Sequence, residues 1–300
     1  MRNVIISLAP VEAGCRIDKA ALVEDVVRST AAGAAMCHLH CRKPDGSLTP
    51  DITEISDTFE QIAARTDVII QASTGGVSDM TIEERCNPLA YHRVESASLN
   101  GGTTNLGEAV YLNSLSDIRY CAKTVYEKKI IPEIEVFDIG MIYNVESTRA
   151  EVKFERRSLS NIELMSAEDA LEVKADKGCK YNTPLLYNLV FGHRGGMQPN
   201  MKCLTAFCGA VPEDAIWGVT HYGRDNWDFL AAAIAMGASV VRIGFEDSHH
   251  LAPGITAEYN YELVEKLAAL IRAMDLKVAT APEAREMIGA LKRYSSEGEL

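Results

Sequence analysis

Apolar positions along the chain switch between two patterns. Short apolar runs of four to seven residues occupy Val4–Ala9, Met36–His40, Val68–Ala72, Ser96–Leu99, Ile131–Phe137, Leu185–Phe191, Ile216–Thr220 and Val240–Ile243. Each is bounded by Gly, Pro, Asn or charge, as expected of strands buried on both faces of a parallel sheet. Between several of them the apolar residues recur at helical spacing. Leu22, Val26 and Val27 mark a helix over Asp18–Ala32, and Ile55, Phe59 and Ile62 mark one over Ile52–Arg65. Asp225–Met236 and Tyr259–Met274 are further helical stretches.

Eight strand runs alternating with helices predict an α/β fold, a (β/α)8 TIM barrel. The same alternation also suits a doubly wound open sheet. With no Gly/Ser-rich linker and no internal repeat, residues 1–300 read as one domain. Residues 143–177 read as an insertion, an elaborated loop between strands five and six. It carries the charge-rich stretch Glu151–Arg157 and a helix start near Ser166.

Composition narrows the function. The chain is 47% hydrophobic and 24% charged, a globular balance that can bury a large core. Its formal charge of -12 argues against a nucleic-acid scaffold or adsorption to anionic membranes. It leaves room for a small anion held by a few Arg or Lys residues. No apolar run is long enough to cross a membrane, and the one at Val4–Pro10 is short for a signal peptide. The eight cysteines show no C-x-x-C spacing, which fits free thiols in a reducing cytoplasm. The phosphate-binding patterns G-x-G-x-x-G after the first strand and G-x-x-x-x-G-K-[ST] are both missing.

In a TIM barrel the chemistry gathers at the C-terminal ends of the strands. His38 and His40, two residues apart on a strand, point to one face. Two imidazoles there are half of a catalytic zinc site, although the pair alone reads equally well as core histidines. Val240–Asp247 reads as the last strand with charge at its end. Arg242 and Glu246 share a face, and Glu246 suits a third, oxygen ligand. The plain alternative is a solvated Glu beside a helix-capping Asp247. A buried Arg242 needs a carboxylate, and Glu133 or Glu135 on the fifth strand could serve. Ser73–Gly76 and Ser98–Asn105, which includes Asn100, are polar strand ends whose backbone N–H groups can approach an anionic oxygen. His193 and His221 end strands six and seven and could line the same pocket, with structural hydrogen bonding as the alternative.

Taken in order, several segments resemble the β-keto acid cleavage enzymes, the family of 3-keto-5-aminohexanoate cleavage enzyme. They are His38-Leu39-His40-x-Arg42 with Pro44-Asp45-Gly46, Ser73–Gly76, Ser98–Thr103, Pro132–Asp138, Val241–Asp247 and Ala279–Arg285. The resemblance implies a zinc-dependent barrel that condenses a β-keto acid with acetyl-CoA, giving acetoacetate and an acyl-CoA. It implies metal ligation by His38, His40 and Glu246, a catalytic Asp247, an activating Arg242 and a supporting Glu135. Substrate contacts fall on or beside Thr74 and Ser98, with Asn100, Glu12 and His193 as further candidates. Arg42, Lys43, Arg194 and Arg224 are candidates for the CoA phosphates. A homo-oligomer, such as a tetramer, is also implied. The chain departs from the family pattern in the opening loop near Glu12, at His193 and in the length of 143–177, all at the pocket mouth. A CoA-independent aldolase or decarboxylase would use the same groups, and a non-catalytic metal-binding barrel would keep the ligands alone.

Overall fold

The short apolar runs pair side by side as parallel strands in the computed structural model, which describes residues 1–152, 185–290 and 292. The barrel strands are β1 (Asn3–Leu8), β2 (Ala34–Leu39), β3 (Ile69–Ser73), β4 (Ser96–Asn100), β5 (Ile131–Val136), β6 (Leu186–Phe191), β7 (Ile216–His221) and β8 (Val240–Ile243). Each pairs with the next in sequence, and β8 pairs with β1 in the register Ser7 to Arg242. The sheet therefore closes, which excludes the open doubly wound alternative and leaves the expected (β/α)8 TIM barrel.

The helices, in order, are α1 (Lys19–Ala32), α2 (Thr53–Arg65), α3 (Ile82–Arg85), α4 (Leu115–Glu127), α5 (Ile139–Val152), α6 (Met201–Ala210), α7 (Asp228–Ala235), α8 (Asn260–Ala273) and α9 (Ala281–Ile288). Their starts follow local chemistry. Asp18 caps α1 by accepting from Ala21 N at 3.0 Å, and Ser114 and Asp117 form a capping box on α4. Residues 143–152 of the expected insertion continue α5, and 153–177 lie outside the described residues.

Strand alternation divides the core in two. Val4, Ile6, Leu8, Cys37, Leu39, Ile70 and Ala72 face outward into the layer shared with the helices. Ile5, Met36, Ile69, Ile131, Leu186 and Val240 face inward at the strands' N-terminal ends, where Ala281, Ala284 and Ile288 of α9 meet them. So α9 plugs the bottom of the barrel. Its Arg285 is buried and donates to both carboxylate oxygens of Glu95, at 2.6 and 2.8 Å. A two-residue strand, Lys277–Val278, leads into α9 and pairs with the start of β1. It is too short for a periodic signal, as are the hairpins Thr104–Leu106 with Ala109–Tyr111 and His250–Ala252 with Ile255–Thr256.

Above the apolar floor the barrel interior is polar. Gln71 Nε2 donates to Glu133 Oε2 at 2.6 Å and to Ser96 Oγ at 3.0 Å. Thr220 Oγ1 donates to Asn188 Oδ1 at 2.9 Å. This middle layer carries the groups at the open end.

Candidate functional site

Two steps along β2 from the floor residue Met36 stands His38, and His40 follows just past the strand. On the other side of the barrel, Gly244 ends β8 with φ +139°, a conformation that L side chains rarely adopt. A Cβ there would lie 2.1 Å from Ala9 O, so only glycine allows this approach. The turn is held by Glu246 N donating to Ala9 O at 3.1 Å, and it carries Glu246 and Asp247 back over the barrel mouth.

His38 Nε2 lies 3.3 Å from His40 Nε2, and Glu246 Oε1 lies 3.3 Å from His40 Nε2 and 3.9 Å from His38 Nε2. Ligands about 2.0–2.1 Å from a tetrahedral ion are separated by about 3.3–3.4 Å. Two of the three separations match that spacing and the third, from His38 to Glu246, is about half an ångström longer, so the three atoms approximate three corners around one small cation. His38 is buried, which pulls its pKa down to about 3 and keeps the ring neutral, the form that ligates. Burial alone would raise the Glu246 carboxyl, but His40 and Arg242 beside it outweigh that and hold the carboxylate ionised. Two imidazole nitrogens and a carboxylate oxygen are the donor set of an open catalytic zinc site.

Beside this triad Arg242 organises two more acids. Its Nε and Nη2 donate to Asp247 Oδ2 and Oδ1 at 3.1 and 2.8 Å, a two-pronged grip. Its Nη1 donates to Glu135 Oε1 at 2.8 Å. Burial disfavours the guanidinium's charge, but Asp247, Glu246 and Glu135 outweigh it and keep Arg242 protonated. Burial also raises the pKa of Asp247 and of Glu135, against the opposing pull of Arg242. A carboxylate with a raised pKa is a better proton acceptor than an exposed one.

Both clusters open onto one cavity of about 780 Å³ at the C-terminal ends of the strands. His40, Glu246, Asp247, Arg242 and Glu135 form its base. Leu106, Phe137 and Val190, with His193 and Tyr222, form apolar and aromatic wall. The His193 and Tyr222 rings stack at 4.0 Å between centroids. Burial lowers the His193 pKa to about 4, so this wall is uncharged at neutral pH.

The other expected site residues divide. His193 lines the cavity. Ser98 stands behind the wall, 3.3 Å from Ser73 Oγ, and Ser73 itself is on the wall. Thr74 is turned the other way: its hydroxyl donates to Ser98 O at 2.7 Å and faces Cys121 of α4. Alternation from Gln71 selects Ser73 rather than Thr74, which is the signal that locates it. Asn100 is buried and spends its Oδ1 on Gly102 N at 3.0 Å, off the cavity wall. Glu12 is half exposed and pairs with His249 at 3.1 Å, so the structure does not bring it to the site. His221 lines a neighbouring depression of about 450 Å³. Of the basic residues, Arg42 and Arg194 line the cavity. Lys43 is exposed away from it, and Arg224 is buried against the Trp227 ring, 3.9 Å from its centroid.

A family model described as beta-keto acid cleavage enzyme matches residues 17–166 and 155–290. The chain is 33% identical over 276 residues to a 3-keto-5-aminohexanoate cleavage enzyme of Acetoanaerobium sticklandii, covering 90% of both chains. It is 28% identical over 285 residues to a 3,5-dioxohexanoate:acetyl-CoA acetone transferase of Paraburkholderia graminis, covering 85% of this chain and 83% of the other. Among solved structures, a ternary complex of ObcA with a C4-CoA adduct and oxalate superposes with a TM-score of 0.65 at 16% identity. That match covers 91% of this chain and 67% of the other, and it bears on the fold.

Proposed function

Because this chain belongs to the beta-keto acid cleavage enzyme family, we propose that its cavity joins a β-keto acid to acetyl-CoA and releases acetoacetate and an acyl-CoA. The observation that carries this reading is the meeting of His38, His40 and Glu246 with the Asp247–Arg242–Glu135 cluster at the base of one cavity. The residues fit a divalent cation, zinc by their donor set, which when bound supplies Lewis-acid polarisation of the substrate carbonyl.

Asp247 accepts the proton from the carbon between keto and carboxylate groups. Arg242 grips both Asp247 oxygens, fixing the carboxylate in place without consuming all of its lone pairs. Glu135 fixes the far side of Arg242. The resulting carbanion bonds to the acetyl carbon of acetyl-CoA, and the CoA thiolate leaves. That thiolate then attacks the original keto carbon, and the bond between the keto carbon and its neighbour breaks. The electrons of that bond stay with the acetoacetate fragment, which recovers a proton from Asp247, while the other fragment departs as acyl-CoA. The Ser73 hydroxyl on the cavity wall, backed by Ser98, is a donor for the developing oxyanions. Arg42 and Arg194, at the cavity, are the bases within reach of CoA phosphates.

The reading extends to a cytoplasmic homo-oligomer such as a tetramer. Free cysteines among the described residues support the first part, and light scattering tests the second. Asp247→Asn tests the chemistry. Turnover, read as acetoacetate and acyl-CoA formed together from a panel of β-keto acids, should fall to background while bound zinc is retained. Retained turnover removes Asp247 as the base. Consumption of the β-keto acid without acetyl-CoA, with no acetoacetate formed, points instead to an aldolase or decarboxylase.

A further inference from the structure

One buried carboxylate has no part in this chemistry. Glu133 lies on β5 one inward step below Glu135 and is 1% exposed. Its Oε2 accepts from Gln71 Nε2 at 2.6 Å, and its Oε1 has no partner among the described residues. Gln71 Nε2 has a second acceptor in Ser96 Oγ at 3.0 Å. With its amide nitrogen committed to two acceptors, Gln71 must turn its oxygen the other way. That oxygen, Oε1, lies 2.7 Å from His38 Nδ1. An amide oxygen only accepts, so Nδ1 carries the hydrogen and the Nε2 lone pair is left facing His40 and Glu246.

We propose that Glu133 and Gln71 form a buried relay of positioning residues that holds His38 in the orientation and tautomer required for metal binding. The inference rests on the metal reading of His38, His40 and Glu246 and adds two residues to it. Histidine ligands commonly donate their second N–H to a carboxylate or carbonyl, and loss of that partner typically weakens metal affinity by about 10–100-fold. Here an amide stands between imidazole and carboxylate. An amide can be reversed by rotation about its last bond, and the reversed form would offer an N–H to Nδ1, moving the ring hydrogen to Nε2 and blocking it. Glu133, whose Oε2 is an acceptor whether or not its other oxygen is protonated, is the group that forbids the reversal. Ser96 adds a weaker, neutral acceptor on the same side, because its hydroxyl hydrogen is given to Ile131 O at 2.9 Å.

The test is zinc affinity, measured on the purified chain by competition with a chromophoric chelator. Glu133→Gln keeps the shape but lets its amide pair with either end of Gln71. It should weaken zinc binding about tenfold. The exchange Gln71→Glu with Glu133→Gln restores an acceptor-only group opposite Nδ1 and a donor behind it, and should return affinity to near the wild-type level. A mere packing role gives no such recovery. Wild-type affinity in the single variant, or a double variant no better than the single, overturns the relay. A wild-type chain that takes up no zinc overturns the metal reading itself, which separates the two failures.

Discussion

Arg242 shows how much the site asks of one side chain. It is enclosed by the barrel, and its three guanidinium nitrogens each meet a carboxylate oxygen: Nε and Nη2 meet Asp247 and Nη1 meets Glu135. A planar fork can serve two acids at fixed angles, whereas a lysine ammonium is a single point charge on a flexible stem. Arg242→Lys therefore keeps the formal charge but lets Asp247 rotate. General-base catalysis contributes about 10²–10⁴-fold where the base is well placed. The variant is expected to lose about 100-fold or more in kcat with its zinc content unchanged, measured by steady-state kinetics and metal analysis. If kcat held within a few fold, the two-pronged grip would have no bearing on the proton transfer. Residues of this kind are legible without coordinates, because an Arg in an apolar strand run needs a buried acid. Which acid it takes, Glu133 or Glu135, is decided by register. Ser98 pairs with Glu133 and Asn100 with Glu135, so Glu135 stands one layer higher, level with Arg242's head group.

The strands and the turns that end them carry these side chains to one place. The β8 turn is the clearest case, since Gly244 approaches Ala9, just past β1, so closely that the backbone of one strand end props the other. Gly244→Ala would force a methyl against Ala9 O in a strained backbone region, which by itself costs about 1–3 kcal/mol. Relief requires the turn to move, and Glu246 and Asp247 move with it. The expected result is a lower unfolding temperature and weakened zinc binding together. A variant that kept full zinc affinity would show that the turn is not what sets the ligand. At this scale the sequence speaks unevenly. Barrel strands announce themselves because both faces are buried, and alternation then puts His38 and Arg242 inside. The polar middle layer is hidden, since Gln71 and Asn188 interrupt apolar runs only once each. Loop residues have no period at all, so nothing in the order of residues turns Glu12 toward His249 rather than toward the cavity.

For the molecule as a whole, the buried polar interior sets how stability responds to pH, and its groups pull in opposite directions. Burial lowers the pKa of both His193 and His221 to about 4, whereas a histidine in an unfolded chain titrates near 6.5. Between those values the unfolded chain binds protons that the native one refuses, so each histidine erodes stability as pH falls from about 6.5 to about 4. Glu133 does the reverse. Its pKa is raised by burial to about 7, above the ordinary 4.3 or so, so the native state holds an extra proton between those limits and gains as pH falls. The net slope mixes both signs, and one variant isolates a single contribution. His221 is buried, its Nδ1 has no partner among the described residues, and it lies outside the cavity of the reaction. His221→Asn removes its titration and leaves Glu133 and His193 in place. Near pH 7.5 the variant should unfold at a lower temperature than wild type, because the ring's edge contact with Phe229 is gone. As pH is lowered to 4.5 that gap should narrow, since only the wild-type chain meets the proton uptake of an unfolded His221. Thermal unfolding of both proteins across this range reads the difference directly. A gap that stayed constant would mean that His221 is charged in the native barrel, and that the wall between β6 and β7 is far wetter than its packing indicates.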